Sequence, residues 1–70
     1  MKVWVTRNRS YDSMRLFIQK PFKQHGDYMG KNAEQPFIRS GRTWFKNMFG
    51  FTPRKGSCKQ YELTLTEIEE

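Results

Sequence analysis

The chain has one cysteine and one histidine in 70 residues. Cys58 alone cannot close a disulfide. With His25 as the only other soft ligand, there is no set of three or four convergent residues for a zinc site. No metal and no cofactor is therefore expected. Carboxylates are also scarce over most of the chain, since residues 1–60 hold only Asp12, Asp27 and Glu34. All three fall in segments that read as loops, with nothing beside them to raise one pKa for acid–base work. A phosphate-cradling glycine loop is missing too, because Gly30-Lys31 lacks both the upstream glycine and a following Ser or Thr. A nucleophile needs a base and a group that orients the base. Ser57 and Cys58 have no histidine near them in sequence, and His25-Gly26-Asp27 reads as a solvated turn rather than a base–carboxylate pair. No catalytic residues are assigned, and the expectation is a protein that is not an enzyme.

Long apolar runs are lacking as well. The N-terminus shows no stretch of signal-peptide length, and nothing approaches the roughly 20 apolar residues of a membrane span. A single free cysteine fits a reducing, cytoplasmic setting.

What the chain does have is positive charge and aromatic rings. All thirteen Lys and Arg residues lie at or before Lys59, so residues 1–60 carry a net +10, while residues 61–70 carry Glu62, Glu67, Glu69 and Glu70 and no base. The whole is +6 with an isoelectric point near 9.8. A small body this basic attracts anions: nucleic acid, an acidic protein surface or a membrane face. Eleven aromatics, at 16% of the sequence, argue against disorder despite a hydrophobic share of 36%. Seventy residues make one domain at most, here residues 1–70. A core this small supplies only about 3–5 kcal/mol, so most of those rings are needed inside, and a homodimer or other partner could add the rest.

Local patterning predicts the elements. Lys2 to Arg7 alternates with β-branched and aromatic residues and reads as a strand, with Val3 and Val5 on one face and Lys2, Trp4 and Thr6 on the other. Met14 to Lys20 alternates again, placing Met14, Leu16 and Ile18 opposite Arg15, Phe17 and Gln19, and the two form an antiparallel hairpin ended by Pro21. Residues 22–36 are the least regular, with turns at His25-Gly26-Asp27 and Gly30-Lys31-Asn32 and a short strand at Tyr28-Met29. Pro36 to Arg39 reads as another short strand. Ser40 to Gly50 reads as a helix with Ser40 as N-cap, Gly50 as its left-handed end, Phe51 folding back on Phe45, and a Trp44/Phe45/Met48/Phe49 stripe. After a basic loop at 52–59, Tyr61 to Ile68 reads as the last strand, with Tyr61, Leu63 and Leu65 on one face. The expected fold class is α+β: a small antiparallel sheet of three to five strands with one short helix packed on one face. The opposite face then shows Lys2, Trp4, Arg15, Phe17 and Gln19.

Lys2-Val3-Trp4-Val5-Thr6-Arg7, then Leu16-Phe17 with Lys20-Pro21, then Phe51-Thr52-Pro53 and the closing Glu62-Leu63-Thr64-Leu65 carry a resemblance. In these pieces, roughly half of the chain, it is similar to short uncharacterised accessory proteins of Bacteroidetes phages and mobile elements. Those open with a Trp-Val-x-Arg strand, follow with Leu-Phe and Lys-Pro, and close on an acidic alternating strand. The chain departs from them in having Asn8 where they often carry Asp, and Arg54-Lys55 where they are acidic. The resemblance implies no activity and no site residues. It implies a phage or mobile-element origin, with the host-cell cytoplasm as the place of action.

Three basic groups are the candidate contacts for an anionic partner: Arg7 and Arg9 with Arg15, then Arg39, Arg42 and Lys46, then Arg54, Lys55 and Lys59. The interleaved rings of Trp4, Tyr11, Phe17 and Tyr28 could stack on unpaired bases. Burial of Trp4 and Phe17 as core is the favoured alternative, since so small a chain needs its aromatics for stability. Glu62 and Glu67 could pair with cross-strand bases, which accounts for the charge segregation without any partner. Lys55 and Lys59 beside Cys58 could lower its pKa, although an idle thiol is the plainer expectation. Taken together, these features predict a non-catalytic basic binding protein. Its expected partner is a nucleic-acid-handling protein or the nucleic acid bound to it, and its expected action is anti-CRISPR-like inhibition of a host defence enzyme. Direct RNA or DNA binding and a small virion assembly protein are the alternatives.

Overall fold

A computed structural model describes residues 1–9, 12–64, 67 and 68. Six strands and one helix follow in the order β1 (Lys2–Arg7), β2 (Met14–Phe17), β3 (Phe22–Gln24), β4 (Asp27–Met29), β5 (Ile38–Ser40), α1 (Arg42–Phe49) and β6 (Cys58–Glu62). The fold is α+β, as the patterning predicts. One sheet has the order β5-β2-β1-β6 and β3 pairs with β4 in a second, smaller sheet. Every pairing is antiparallel.

The predicted first hairpin forms with Val5 opposite Leu16 and Arg7 opposite Met14. That register puts Val3, Val5, Met14 and Leu16 on one face, where they bury with Phe45 as a single cluster. Helix α1 covers this cluster with one turn only. Phe45 is buried and stacks on Phe49 at 4.7 Å and against Phe51 at 5.4 Å, so Phe51 does fold back. Trp44 and Met48 stay exposed at 45% and 60%. The predicted four-residue stripe is thus half right. A helix of eight residues gives each side little more than one i, i+4 pair, and Phe45–Phe49 is the pair aimed at the sheet.

The helix ends at Gly50, left-handed with its N–H donating to the Lys46 carbonyl. Its start differs from expectation. Gly41 occupies the N-cap without a side-chain bond, and Ser40 belongs to β5 opposite Met14. Pairing with β2 holds Ser40 in the sheet, so its hydroxyl cannot reach the first-turn amides.

Two strands have other bounds than their alternation suggests. β2 stops at Phe17, three residues before Lys20. Beyond it the amide of Ile18 donates to a Glu34 carboxylate oxygen at 3.3 Å instead of to a ladder, and Ile18 is exposed. β6 starts earlier and stops earlier, running from Cys58 to Glu62 because its partner β1 spans only Lys2 to Arg7. One more bond, from the Leu63 amide to the Met1 carbonyl at 2.7 Å, ends the pairing. Leu65, predicted in this strand, lies outside the described residues. Tyr61 and Leu63 do pack on the core cluster.

The second face of the main sheet is not open. A two-residue turn at His25 and Gly26, both with positive φ, closes the β3–β4 hairpin. The Tyr28 amide donates to the Asn8 side-chain oxygen at 3.3 Å, and the Tyr28 hydroxyl donates to the Gly56 carbonyl at 3.2 Å. These bonds tie the hairpin to the end of β1 and to the loop before β6. Beneath it Thr6 and Phe17 are fully buried. Phe17 therefore does not stand on an exposed face, and the favoured expectation that it is core holds. Gly56 has φ +74, a backbone conformation that calls for glycine.

Candidate functional site

The nine basic residues singled out from sequence do not form one surface. Arg7 is the clearest case. Its side chain lies on the helix side of β1 and is 7% exposed. The Nε donates to Asp12 Oδ1 at 2.8 Å, Nη2 donates to the same oxygen, and Nη1 donates to the Pro53 carbonyl at 2.8 Å. Arg7 thus acts as a structural clamp. The reason is long-range: the fold brings Asp12 and the carbonyl of Pro53 to the same point.

Arg42 and Lys46 lie one turn apart on α1, and with Arg7, Thr43, Asn47 and Thr52 they line a recess of about 440 Å³. Asp12 reaches Arg42 at 4.0 Å, so this recess carries its own carboxylate. Arg15 and Arg39 stand directly opposite each other across β2 and β5, on the face away from the helix. Both border a recess that also holds Glu34. Arg9, Arg54 and Lys55 are exposed on loops, and Lys59 is exposed on the edge strand β6. Arg15 parts from Arg7 because Arg7 lies opposite Met14, whose strand neighbour points to the other face, and Arg39 parts from Arg42 and Lys46 because β5 ends before α1 begins.

Another gathering of cations lies elsewhere. Lys20, Lys23 and Lys31 lie on and beside the β3–β4 hairpin and line one open groove of about 640 Å³, with Phe22, Tyr28 and Cys58. The Lys20 ammonium sits 5.5 Å from the centre of the Trp4 ring, and Lys23 sits 5.9 Å from that of Tyr28. Such contacts hold flexible lysines over ring faces. Among the described residues, the ion pairs involve Glu62 and Asp12 and none of these three lysines. Phe22 is 47% exposed. Lys20, Lys23, Lys31 and Phe22 stand outside the three basic groups and the stacking rings that the sequence marks out. The signal was there in part. Reading His25-Gly26 as a two-residue hairpin turn places Lys23 opposite Tyr28 and Phe22 opposite Met29, as observed. The same register, continued past the strand ends, sets Lys20 opposite Lys31, whereas the approach of Cys58 depends on how the hairpin docks, which no local pattern encodes.

Cys58 forms the floor of this groove and is half-buried. Burial pushes its thiol pKa up, and Lys20, not Lys55 or Lys59, is the cation that pulls the other way. The thiolate is the reactive form, so Cys58 should alkylate with iodoacetamide more slowly than a free cysteine at about pH 7.5. A mass-spectrometric time course checks this, and a rate above that of free cysteine would show that Lys20 outweighs burial.

On the helix side, an apolar cleft of about 160 Å³ opens between Phe45, Phe49, Phe51, Tyr61 and Leu63. It is the mouth of the core. Among the described residues no group of His, Cys, Asp and Glu side chains could hold a metal ion. His25 sits at the tip of the β3–β4 hairpin, in the turn that its spacing predicted. No helix among the described residues is long and apolar enough to cross a membrane. Comparison with known proteins finds no matching family model, no matching curated protein and no matching solved structure.

Proposed function

We propose that this is a non-catalytic basic binding protein that inhibits a nucleic-acid-handling enzyme by gripping the anionic surface, or the bound nucleic acid, that such an enzyme presents. The observation that carries this reading is the convergence of Lys20, Lys23 and Lys31 on one groove, with no ion pair to any of them among the described residues. Like charges held together cost stability in an isolated molecule, and an anionic partner offsets that cost. Arg42 and Lys46 add a second cationic surface on the helix. The resemblance to phage and mobile-element accessory proteins supports a host defence nuclease, such as a CRISPR effector, as the target.

The test is capture from host lysate on the immobilised protein, with and without prior nuclease digestion, followed by assay of what is recovered. A nuclease or other nucleic-acid enzyme is expected, with activity that falls as the protein is added. Recovery of no such enzyme, or of one whose activity is unchanged, overturns the reading.

A further inference from the structure

We infer that the groove lined by Lys20, Phe22, Lys23, Tyr28 and Lys31 is a binding site for one unpaired nucleic-acid strand. This rests on the proposed function, because it names what the protein grips on its enzyme partner. The first support is the arrangement of charge. The three lysines all lie in residues 20–31, on and beside the β3–β4 hairpin, so this one hairpin gathers them along a groove that Cys58 of β6 also lines. Lysine is a compact point charge with freely turning donors, suited to phosphates at variable positions and not to paired recognition of a base edge. The groove therefore takes a phosphodiester chain with little regard to base sequence.

The second support is the division of labour among the rings. Trp4 and Tyr28 each have a lysine ammonium near their centres, at 5.5 and 5.9 Å, so these two rings position cations. Phe22 lines the groove and keeps nearly half its surface in solvent. It makes none of the ring–ring contacts found among Trp44, Phe45, Phe49, Phe51 and Tyr61. An exposed phenyl flanked by three cations offers a face to an unstacked base. A duplex keeps its bases stacked inside and can give this groove phosphates alone. An acidic peptide can satisfy the lysines, but only a nucleic-acid strand carries a flat ring beside every anionic group. Neither Glu34 nor Asp27 lines this groove, and Glu34 accepts from the Ile18 amide.

The test is fluorescence anisotropy of the full chain with a labelled oligouridylate of about eight nucleotides, a site size single-strand binders use, against a duplex of equal length and a poly-glutamate competitor. Titrations run from about 0.05 M to about 0.15 M salt, where counterion release is read as a slope. The single strand is expected to bind at least about tenfold more tightly than the duplex, the margin a base stacked on Phe22 supplies. Phe22→Leu keeps an apolar side chain without a ring face and should weaken binding about 5- to 100-fold, with Phe22→Trp restoring it. Lys20→Gln with Lys31→Gln should flatten the salt slope by about 1.4, at about 0.7 for each phosphate no longer neutralised. Arg54→Gln with Lys55→Gln makes the same charge change outside the groove and should cost less. All these positions are exposed, and thermal melts confirm that each variant folds. Equal affinity for duplex and single strand overturns the inference. So does an equal loss from the Arg54/Lys55 pair, or full competition by poly-glutamate. If no strand binds while the enzyme is still captured, the groove assignment fails and the inhibitor reading stands. If the strand binds and no enzyme is captured, the inhibitor reading fails and the groove stands.

Discussion

Phe17→Ala should leave most of the protein unfolded at 25 °C. The ring is 1% exposed and lies at the end of β2, opposite Trp4 on β1. It shares a recess with Tyr28, Gly30, Ala33 and Pro36 from the segment that covers the sheet. Truncating a buried phenylalanine costs about 3–5 kcal/mol through lost transfer energy and the cavity left behind. A core of this size supplies only about 3–5 kcal/mol in total, so the loss consumes the margin. Urea titration followed by far-UV circular dichroism measures the effect directly, and Phe17→Leu should cost a fraction as much. A Phe17→Ala variant that melts like the parent would mean that the β3–β4 hairpin is not a permanent cover, and Phe17 would return as a stacking surface. The contrast with Phe22 matters for function: one phenylalanine is structural and the other faces the groove, although they lie close together in the sequence.

Arg7→Ala is the second large effect. It removes three donated bonds at once, two to Asp12 and one to the Pro53 carbonyl. Those bonds tie the end of β1 to the loop that follows it and to the loop before β6. Breaking a fully buried ion pair costs about 3–5 kcal/mol, but Asp12 is 44% exposed, so a loss of about 2–3 kcal/mol is expected here. Arg7→Lys keeps the charge and loses the fork geometry, and should recover only part of the stability. The same pair of variants separates structure from binding. Arg7→Lys at a temperature where it is folded should capture partner as the parent does, whereas Arg42→Ala, at a position where the cation is exposed, should melt normally. An Arg7→Lys variant that is folded and fails to capture partner would place Arg7 in the interface after all.

Several features were legible in the residues. The period-two alternation of Lys2–Arg7 and of Met14–Phe17 determined two strands and the face each buries, because a register slip of one residue would expose Val3, Val5 and Leu16 together. Gly50 determined where the helix stops, since a left-handed residue is needed there. His25-Gly26 marked a turn. The excess of bases is a property of composition alone.

The tertiary structure decided the rest. Alternation names the two faces of a strand but not what covers the second one, so the burial of Phe17 depends on where the β3–β4 hairpin docks. Strand ends depend on the length of the partner: β6 stops at Glu62 because β1 begins at Lys2. A basic side chain is a contact or a clamp according to which carboxylate or carbonyl the chain brings to it from far away, as Asp12 and Pro53 are brought to Arg7. Lys20, Lys23 and Lys31 share one hairpin, and Cys58 of β6 meets them only because that hairpin docks there. Charge and local periodicity are encoded residue by residue. Which charges stand together is set by contacts between segments, and those belong to the folded molecule.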